Sequence, residues 1–182
     1  MRVPSRLALA AASAAIASGG ATLALPAGAS PNGGGCYLYG AAKFSNGPNT
    51  SSHAFTYTFS GVLTSCASNP AGPALGKIAT LVPAKGSGTC ANNTSSGTAL
   101  VTWTDRSTTI VSYTTQSVGA DVVLQGKVLA SYKVGKKTYR TTRDKGDTAL
   151  GDLTFDASPQ ECTGSGVKSA AIAGAAGLYS TS

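Results

Sequence analysis

Hydrophobic and polar residues alternate with a period of two along most of the chain beyond residue 35. The clearest case is Phe55, Tyr57 and Phe59, which alternate with one alanine and two threonines. This period places successive side chains on opposite faces of a strand, so the pattern predicts strands with one buried face. Thr, Val and Tyr, which are frequent in these runs, fit a pleated and half-buried surface. The predicted strands cover residues 36–44, 54–59, 77–82, 99–104, 110–115, 122–132, 150–155 and 167–173.

Clusters of Gly, Pro, Asn and Ser separate the predicted strands and indicate turns. Residues 105–107 suit a hairpin turn, whereas the Ala-rich residues 167–178 contain Gly174 and Gly177 and are predicted to be a last strand rather than a helix. Short strands with such turns indicate an all-β fold. We predict an antiparallel, Ig-like β-sandwich of about 8–10 strands, with a closed β-barrel as the alternative. The predicted turn clusters are residues 45–49, 68–73, 85–88 and 92–97.

The first 29 residues have the layout of a secretory signal peptide. Two arginines precede an apolar stretch at residues 7–25, and Ala27 and Ala29 supply the small residues of a cleavage site. Serine, glycine and threonine interrupt the stretch, which argues against a membrane anchor, because an anchor needs about 20 strongly apolar residues. We therefore expect residues 1–29 to be removed and residues 30–182 to form one secreted β domain without a transmembrane span.

The chain has four cysteines, an even count that indicates two disulfides in an exported protein. No Cys-x-x-Cys is present, which argues against metal binding or redox chemistry by these residues. We favour the pairs Cys66–Cys90 and Cys36–Cys162, which would tie neighbouring strands to each other and the first strand to the last region. The pairs Cys36–Cys66 and Cys90–Cys162 remain open as the alternative.

Several strand and turn motifs together resemble the small secreted four-cysteine β-proteins of actinomycetes, which have no assigned function. The resemblance covers most of the mature chain and implies an extracellular β-sandwich, but it brings no catalytic residue with it. The cysteine spacings of chromoprotein antibiotic carriers and of small protease or amylase inhibitors do not match those of this chain. The motifs that carry the resemblance lie at residues 36–45, 57–66, 86–90, 97–103, 109–115 and 162–170.

A basic run near residues 127–145 is the strongest charged feature of a chain whose net charge is +7. On a strand–turn–strand element, alternation would place Lys137 and Tyr139 on one face and Arg140 on the other. The run could contact an anionic component of the cell envelope. It could equally be a solvated hairpin whose lysines prevent edge pairing, and acidic residues follow it closely. The candidate anionic-surface residues are Lys133, Lys136, Lys137, Arg140, Arg143 and Lys145.

Candidate catalytic chemistry is scarce in this chain. His53 is the only histidine, which excludes sites that need two imidazoles, including most catalytic zinc centres. There is no Gly-x-Ser-x-Gly motif, and a disulfide-bonded cysteine cannot act as a nucleophile. Asp144 and Asp147 share a turn with a glycine but lack the alternating ligands of a known calcium loop. We expect no catalytic residue, no metal and no cofactor.

The expected function is binding rather than catalysis. Trp103 and the stripe that begins at Phe55 could line a ligand pocket, although a period-2 stripe is more often the core face. We predict a non-enzymatic secreted binding or surface-associated module, a monomer without specific nucleic-acid recognition, which contacts an anionic envelope component through its basic segment. The alternative is a secreted inhibitor or effector of an extracellular enzyme, which would insert the proline-containing loop at residues 68–76.

Overall fold

The structure, a computed structural model, describes residues 33–69 and 71–180, so the predicted signal peptide lies outside the described residues. The described part contains eleven strands and one short helix, which confirms the predicted all-β class. No helix within these residues is long or apolar enough to cross a membrane. The helix is α1 (Pro159–Thr163), and the strands are β1 (Gly33–Ser45), β2 (His53–Asn69), β3 (Gly76–Thr80), β4 (Ala84–Gly88), β5 (Asn92–Trp103), β6 (Thr108–Val118), β7 (Asp121–Leu129), β8 (Ser131–Val134), β9 (Lys137–Arg140), β10 (Thr148–Asp156) and β11 (Ser169–Tyr179).

Antiparallel pairing closes the main sheet on itself. β1 pairs with β2 on one side and with β11 on the other, and the ring continues through β10, β7, β6 and β5. β3 and β4 lie end to end and together occupy one strand position of the ring, because each of them pairs with both β2 and β5. The result is the closed eight-strand barrel that the sequence offered as the alternative. Strands that follow one another in the chain are neighbours in the ring, as in an up-and-down barrel.

The loops of the barrel gather at its two ends. Residues 46–52, 89–91, 119–120 and 157–168 lie at one end, which we call the capped end. Residues 71–75, 104–107 and 130–147 lie at the opposite end, which we call the mouth. The separate two-stranded sheet of β8 and β9 is an insertion at the mouth, between β7 and β10.

The inward faces of the strands supply the core. Phe55, Tyr57 and Phe59 are all buried, as their alternation predicted, and Trp103 and Leu153 are buried in the same cluster. Because side chains alternate across each strand, the other half of the residues faces outward. Leucine, phenylalanine and valine side chains therefore point from all sides of the ring towards the barrel axis, where the candidate site lies.

Two predicted turns are strands in the structure. Residues 85–88 lie in β4 and residues 92–97 form the first half of β5. Their glycines suggested turns, but in the barrel a glycine leaves room for a ring from a neighbouring strand. A Cβ atom at Gly86 would lie 2.3 Å from Cε2 of Phe55, and one at Gly97 would lie 2.6 Å from the hydroxyl of Tyr113.

The favoured disulfide pairing is wrong and the alternative is right. The bonds join Cys36 to Cys66 and Cys90 to Cys162, with Cα–Cα distances of 4.0 and 5.9 Å. Cys36 and Cys66 face each other near the mouth, where the register of β1 and β2 shifts at a bulge. Cys90 and Cys162 both lie in loops of the capped end. A Cys66–Cys90 bond would have to span the length of the barrel, which disulfide geometry forbids.

Candidate functional site

The barrel encloses a cavity of about 710 Å³ that runs along its axis from the capped end to the mouth. This volume is within the range of pockets that hold small ligands, and eight-stranded barrels are just wide enough to hold one. Most of the lining is aliphatic or aromatic, and every strand of the ring except β4 contributes to it. Representative lining residues are Leu38, Phe55, Phe59, Leu63, Ile78, Val101, Trp103, Val111, Val122, Leu124, Leu153, Phe155, Ile172 and Ala176.

The capped end of the cavity is closed by loops that are tied to each other. The backbone N–H of Val167 donates to the Pro48 carbonyl at 3.0 Å, and the N–H of Cys90 donates to the Asn49 carbonyl at 2.8 Å. The Cys90–Cys162 bond joins the loop after β4 to α1. The loops after β1, β4 and β10 therefore form one cross-linked cap.

Aromatic rings fill the barrel directly below the cap. The ring of Phe44 lies 5.8 Å from Phe55 and 6.0 Å from Phe155, in edge-to-face arrangements for both pairs. It also lies 5.5 Å from the ring of Tyr57. Such contacts add to the stability that burial of the rings provides. The apolar cavity therefore has an aromatic floor at the capped end.

Four hydroxyl groups form a hydrogen-bonded chain inside the cavity. The hydroxyl of Tyr57 lies 3.2 Å from that of Tyr113 and 2.8 Å from Oγ of Ser95. Oγ of Ser95 lies 2.6 Å from Oγ1 of Thr115. We call these residues, in the order Tyr113–Tyr57–Ser95–Thr115, the hydroxyl chain. All four line the cavity, and they come from β2, β5 and β6.

Burial keeps the phenols of the hydroxyl chain neutral. It raises the pKa of Tyr57 above the ordinary value, and hydrogen bonds with Ser95 and Tyr113 offset part of that effect. Burial also raises the pKa of Tyr113, and the neighbouring Tyr57 raises it further. A phenol whose pKa is raised stays protonated at neutral pH and can donate a hydrogen bond.

A second polar network lies at the mouth and is charged. The indole N–H of Trp103 donates to Oγ1 of Thr109 at 2.9 Å, and Thr109 donates to Asp144 at 3.3 Å. Nε of Arg143 lies 3.1 Å from the same Asp144 oxygen, and Nη1 lies 3.6 Å from Asp105. The guanidinium also lies over the Trp103 ring, 5.6 Å from its centroid. Arg143, one of the candidate anionic-surface residues, is half-buried between two carboxylates at the cavity rim.

The carboxylates of the mouth differ in their proton affinity. Hydrogen bonds from the hydroxyl and backbone N–H of Ser107 lower the pKa of Asp105, and Arg143 adds a smaller effect. Partial burial raises the pKa of Asp147, and the nearby Asp144 raises it further. Arg143 is therefore already paired with two carboxylates at the cavity rim, Asp105 and Asp144, and Asp147 lies beside Asp144.

The remaining basic residues lie outside the cavity. Lys133, Lys136, Lys137 and Arg140 are exposed on the β8–β9 hairpin, and Lys145 is exposed after it. Nζ of Lys137 lies 4.5 Å from the ring centroid of Tyr139, so these two share one face, as alternation predicted. Buried Thr141 anchors the hairpin, since it accepts a hydrogen bond from the N–H of Ile110 at 3.0 Å.

Of the other sequence candidates, His53 lies apart from the cavity walls, whereas the loop at residues 68–76 contributes Ser68 and Pro73 to them. His53 is at the capped end, where Nδ1 lies 2.8 Å from the Ser51 carbonyl oxygen and Nε2 lies 3.1 Å from that of Gly47. The loop expected to act as an inhibitor bends back over the mouth. Its Ala74 carbonyl accepts a bond from the N–H of Cys66 at 3.1 Å, and a Cβ atom at Gly72 would lie 2.5 Å from Nη2 of Arg143.

The hydroxyl chain itself was missed by reasoning from the sequence. Tyr57 and Tyr113 were recognised only as members of alternating strands, and Ser95 was assigned to a turn. No local motif links residues that are 56 positions apart in the chain. Closure of the ring brings them together, because both side chains point from different walls into the interior.

Known proteins give no further guidance to the site. Comparison with protein-family models, with curated proteins and with solved structures finds no match to this chain. Within residues 33–69 and 71–180, no group of three or more His, Cys, Asp or Glu side chains is arranged to hold a metal ion. The chemistry of the site therefore has to be read from the cavity and its two polar networks.

Proposed function

We propose that this protein is an extracellular binding protein that encloses one apolar small molecule inside its barrel. The observation that carries the proposal is the cavity of about 710 Å³ with its predominantly apolar walls. Such walls favour an apolar ligand, because each Å² of apolar surface removed from water contributes about 25 cal/mol to the binding free energy. Two disulfides fit an extracellular location, where such bonds persist.

The ligand would enter through the mouth. At the capped end, three loops are held together by the Cys90–Cys162 bond and by backbone hydrogen bonds. At the mouth, the cavity reaches Ser68, Arg143 and Asp147, whose side chains are half-buried or exposed. No disulfide joins the loops of the mouth at residues 71–75, 104–107 and 130–147, whereas the Cys90–Cys162 bond cross-links the loops of the cap.

Binding rather than catalysis is the role that these groups support. The hydroxyl chain contains no charged member, and the raised pKa values of Tyr57 and Tyr113 make both poor nucleophiles and poor bases at neutral pH. His53 lies at the capped end with its ring nitrogens against backbone carbonyl oxygens. A preformed apolar cavity with a few neutral hydrogen-bonding groups is typical of a ligand-binding site.

The test is titration of the purified protein with N-phenylnaphthylamine, a neutral probe whose fluorescence increases in apolar surroundings. We expect saturable binding near one molecule per barrel, and quenching of Trp103, the only tryptophan of the chain. Ala176 lines the cavity, so Ala176→Phe should fill it and weaken binding. Ala175 is the adjacent position on β11 and is not in the lining, so Ala175→Phe is the matched control. Absence of saturable binding by the folded wild type would contradict the proposal.

A second candidate function is attachment to an anionic surface through the β8–β9 hairpin. Lys133, Lys136, Lys137 and Arg140 are exposed, and the ion pairs of the described residues involve Arg143 alone among the cations. Four exposed cations on a projecting hairpin attract polyanions in a salt-dependent manner. This attachment would hold the barrel at an anionic cell envelope while its cavity carries the ligand.

Adsorption to isolated cell envelope at increasing salt tests the second candidate. Replacing Lys136, Lys137 and Arg140 with serine should reduce adsorption at low salt and flatten its salt dependence. The control replaces three exposed lysines of β1, β3 and β4 with serine, and we expect a smaller reduction. Equal losses for both variants would show that only net charge matters. The control lysines are Lys43, Lys77 and Lys85.

A further inference from the structure

The hydroxyl chain has one more hydrogen-bond donor than its own bonds consume. Each of its four hydroxyls carries one proton, and three hydrogen bonds join the four oxygens. Three protons are used in these bonds, whichever direction each bond takes. One O–H group is therefore left to donate outside the chain, and no other hydrogen bond of these four side chains is present among the described residues.

The surroundings of this spare donor are mostly apolar, and the nearest polar residues of the lining are Asn93 and Ser117, on the capped side of Ser95 and Thr115. Tyr57 and Tyr113 are each only 7% exposed, and Thr115 is 9% exposed. The chain lies between the aromatic floor at Phe44 and Phe55 and the aliphatic walls of the cavity. A donor in such a place gains a hydrogen bond from an acceptor that enters the cavity with the ligand, and burying it without a partner has a cost.

The two polar networks also restrict the charge of the ligand. The hydroxyl chain contains neither a cation nor an anion, so its hydrogen bonds offset only part of the cost of burying a charge. Arg143, the one cationic residue that lines the cavity, is already paired with Asp105 and Asp144, and Asp147 lies beside Asp144. A ligand carboxylate would therefore meet no free cation along the cavity, and a neutral acceptor suits the site better.

We infer that the bound molecule is neutral and apolar with an oxygen acceptor, a ketone, ester or alcohol, and that this oxygen is held by the hydroxyl chain Tyr113–Tyr57–Ser95–Thr115. This inference rests on the proposed function and specifies its ligand class. The ligand enters with its oxygen first, because the hydroxyl chain lies deep in the barrel, toward the cap, and the ligand enters from the opposite end. Its hydrocarbon part then fills the rest of the cavity toward the mouth, between Leu63, Val101 and Leu153.

The experiment measures displacement of N-phenylnaphthylamine by five compounds with ten-carbon skeletons: decane, decanol, 2-decanone, decanoate and decylamine. They are tested on the wild type and on a hydroxyl-free variant, Tyr57→Phe/Ser95→Ala/Tyr113→Phe/Thr115→Val. Removal of all partners together leaves no unpaired group, so the variant should keep its fold and its affinity for decane. We expect the ratio of 2-decanone to decane affinity to fall by at least about fivefold in this variant.

A matched control removes the same four hydroxyl types from the outer wall: Tyr37→Phe/Tyr39→Phe/Ser96→Ala/Thr114→Val, all at exposed positions. Its affinity ratio should equal that of the wild type. As a second measurement, independent of any variant, the carbonyl stretching band of 2-decanone bound to the wild type should shift to lower frequency than in decane. This measurement decides the inference if the hydroxyl-free variant does not fold.

The possible failures are distinguishable. If decane and the probe bind but the affinity ratio is unchanged and the carbonyl band is unshifted, the hydroxyl chain does not hold the ligand and the inference is overturned, while the proposed function stands. If decanoate or decylamine binds the wild type more tightly than 2-decanone, the ligand class is wrong. If neither the probe nor any of the five compounds binds, the proposed function fails and the inference fails with it.

Discussion

The hydroxyl of Tyr57 lies 3.2 Å from the hydroxyl of Tyr113, and both point into the barrel. The two residues belong to β2 and β6, which are separated in the ring by β5 and by the β3/β4 position. Their contact therefore crosses the interior rather than following the sheet. This contact joins hydroxyl groups from different walls of the barrel into the hydroxyl chain.

We predict that Gly97→Val destabilises the protein by about 1–3 kcal/mol, as overpacking does. The new Cβ atom would lie 2.6 Å from the Tyr113 hydroxyl and would push that side chain out of the hydroxyl chain. Urea unfolding measures the change. Gly151→Val is the control, since a Cβ atom there approaches nothing closer than 3.3 Å. A loss as large for Gly151 as for Gly97 would disprove the role assigned to Gly97.

Thr109→Val should lower the free energy of unfolding by about 1–3 kcal/mol, because the buried indole N–H of Trp103 loses its acceptor. Thr109→Ser retains the hydroxyl and should lose less. Thr102→Val, at an exposed position on neighbouring β5, controls for the change of side-chain type. If Thr109→Val and Thr109→Ser are equally stable, the hydrogen bond to Trp103 does not contribute.

Removal of the Cys90–Cys162 bond should cost more stability than removal of the Cys36–Cys66 bond. The two bonds close loops of 72 and 30 residues, for which the chain-entropy relation gives about 4.4 and 3.6 kcal/mol. Double serine variants of each pair, unfolded in urea, provide the comparison. The opposite order of stabilities would mean that native contacts, rather than loop length, set the contribution of each bond.

The Cys90–Cys162 bond should also control ligand exchange. Without it the cap is held by hydrogen bonds alone, so the serine variant should release N-phenylnaphthylamine faster than the wild type. The Cys36→Ser/Cys66→Ser variant affects the mouth and is the comparison. Stopped-flow dissociation measures both rates, and an unchanged rate in the Cys90→Ser/Cys162→Ser variant would argue against a closed cap.

Asp147 and Asp105 should give opposite dependences of stability on pH. Burial and Asp144 raise the pKa of Asp147, so this carboxyl binds its proton more tightly in the folded protein than in the unfolded chain. Its contribution to the free energy of unfolding therefore falls as the pH rises from about 3.8 through the pKa of the folded protein. Asp147→Asn should therefore gain stability relative to the wild type between pH 4 and pH 7.

The pKa of Asp105 is lowered by hydrogen bonds from Ser107, so its contribution is present above the ordinary pKa and is lost as pH falls through the folded value. Asp105→Asn should accordingly be less stable than the wild type at pH 7 and should approach it in acid. Thermal unfolding at pH 4 and at pH 7 measures the stability of the two variants relative to the wild type. Parallel pH profiles for Asp105→Asn and Asp147→Asn would contradict the assigned directions.

Alternation predicted the strands well, but strand boundaries and turns less well. Phe55, Tyr57 and Phe59 were correctly placed on one buried face, and residues 105–107 do turn between β5 and β6. Residues 85–88 and 92–97 contain the serine and glycine that favour turns, but they lie in β4 and β5. In the barrel those small residues make room for Phe55 and Tyr113, which lie on other strands and leave no local trace.

The sequence by itself determined the all-β class and the presence of two disulfides, because period-2 alternation and an even cysteine count are local or compositional properties. Only the tertiary structure decided which cysteines pair, where Arg143 lies and which hydroxyls meet. Each of these depends on distances between strands far apart in the chain, and closure of the ring sets those distances. Cys66 and Cys90 are separated by the length of the barrel, whereas Tyr57 and Tyr113 meet across its axis.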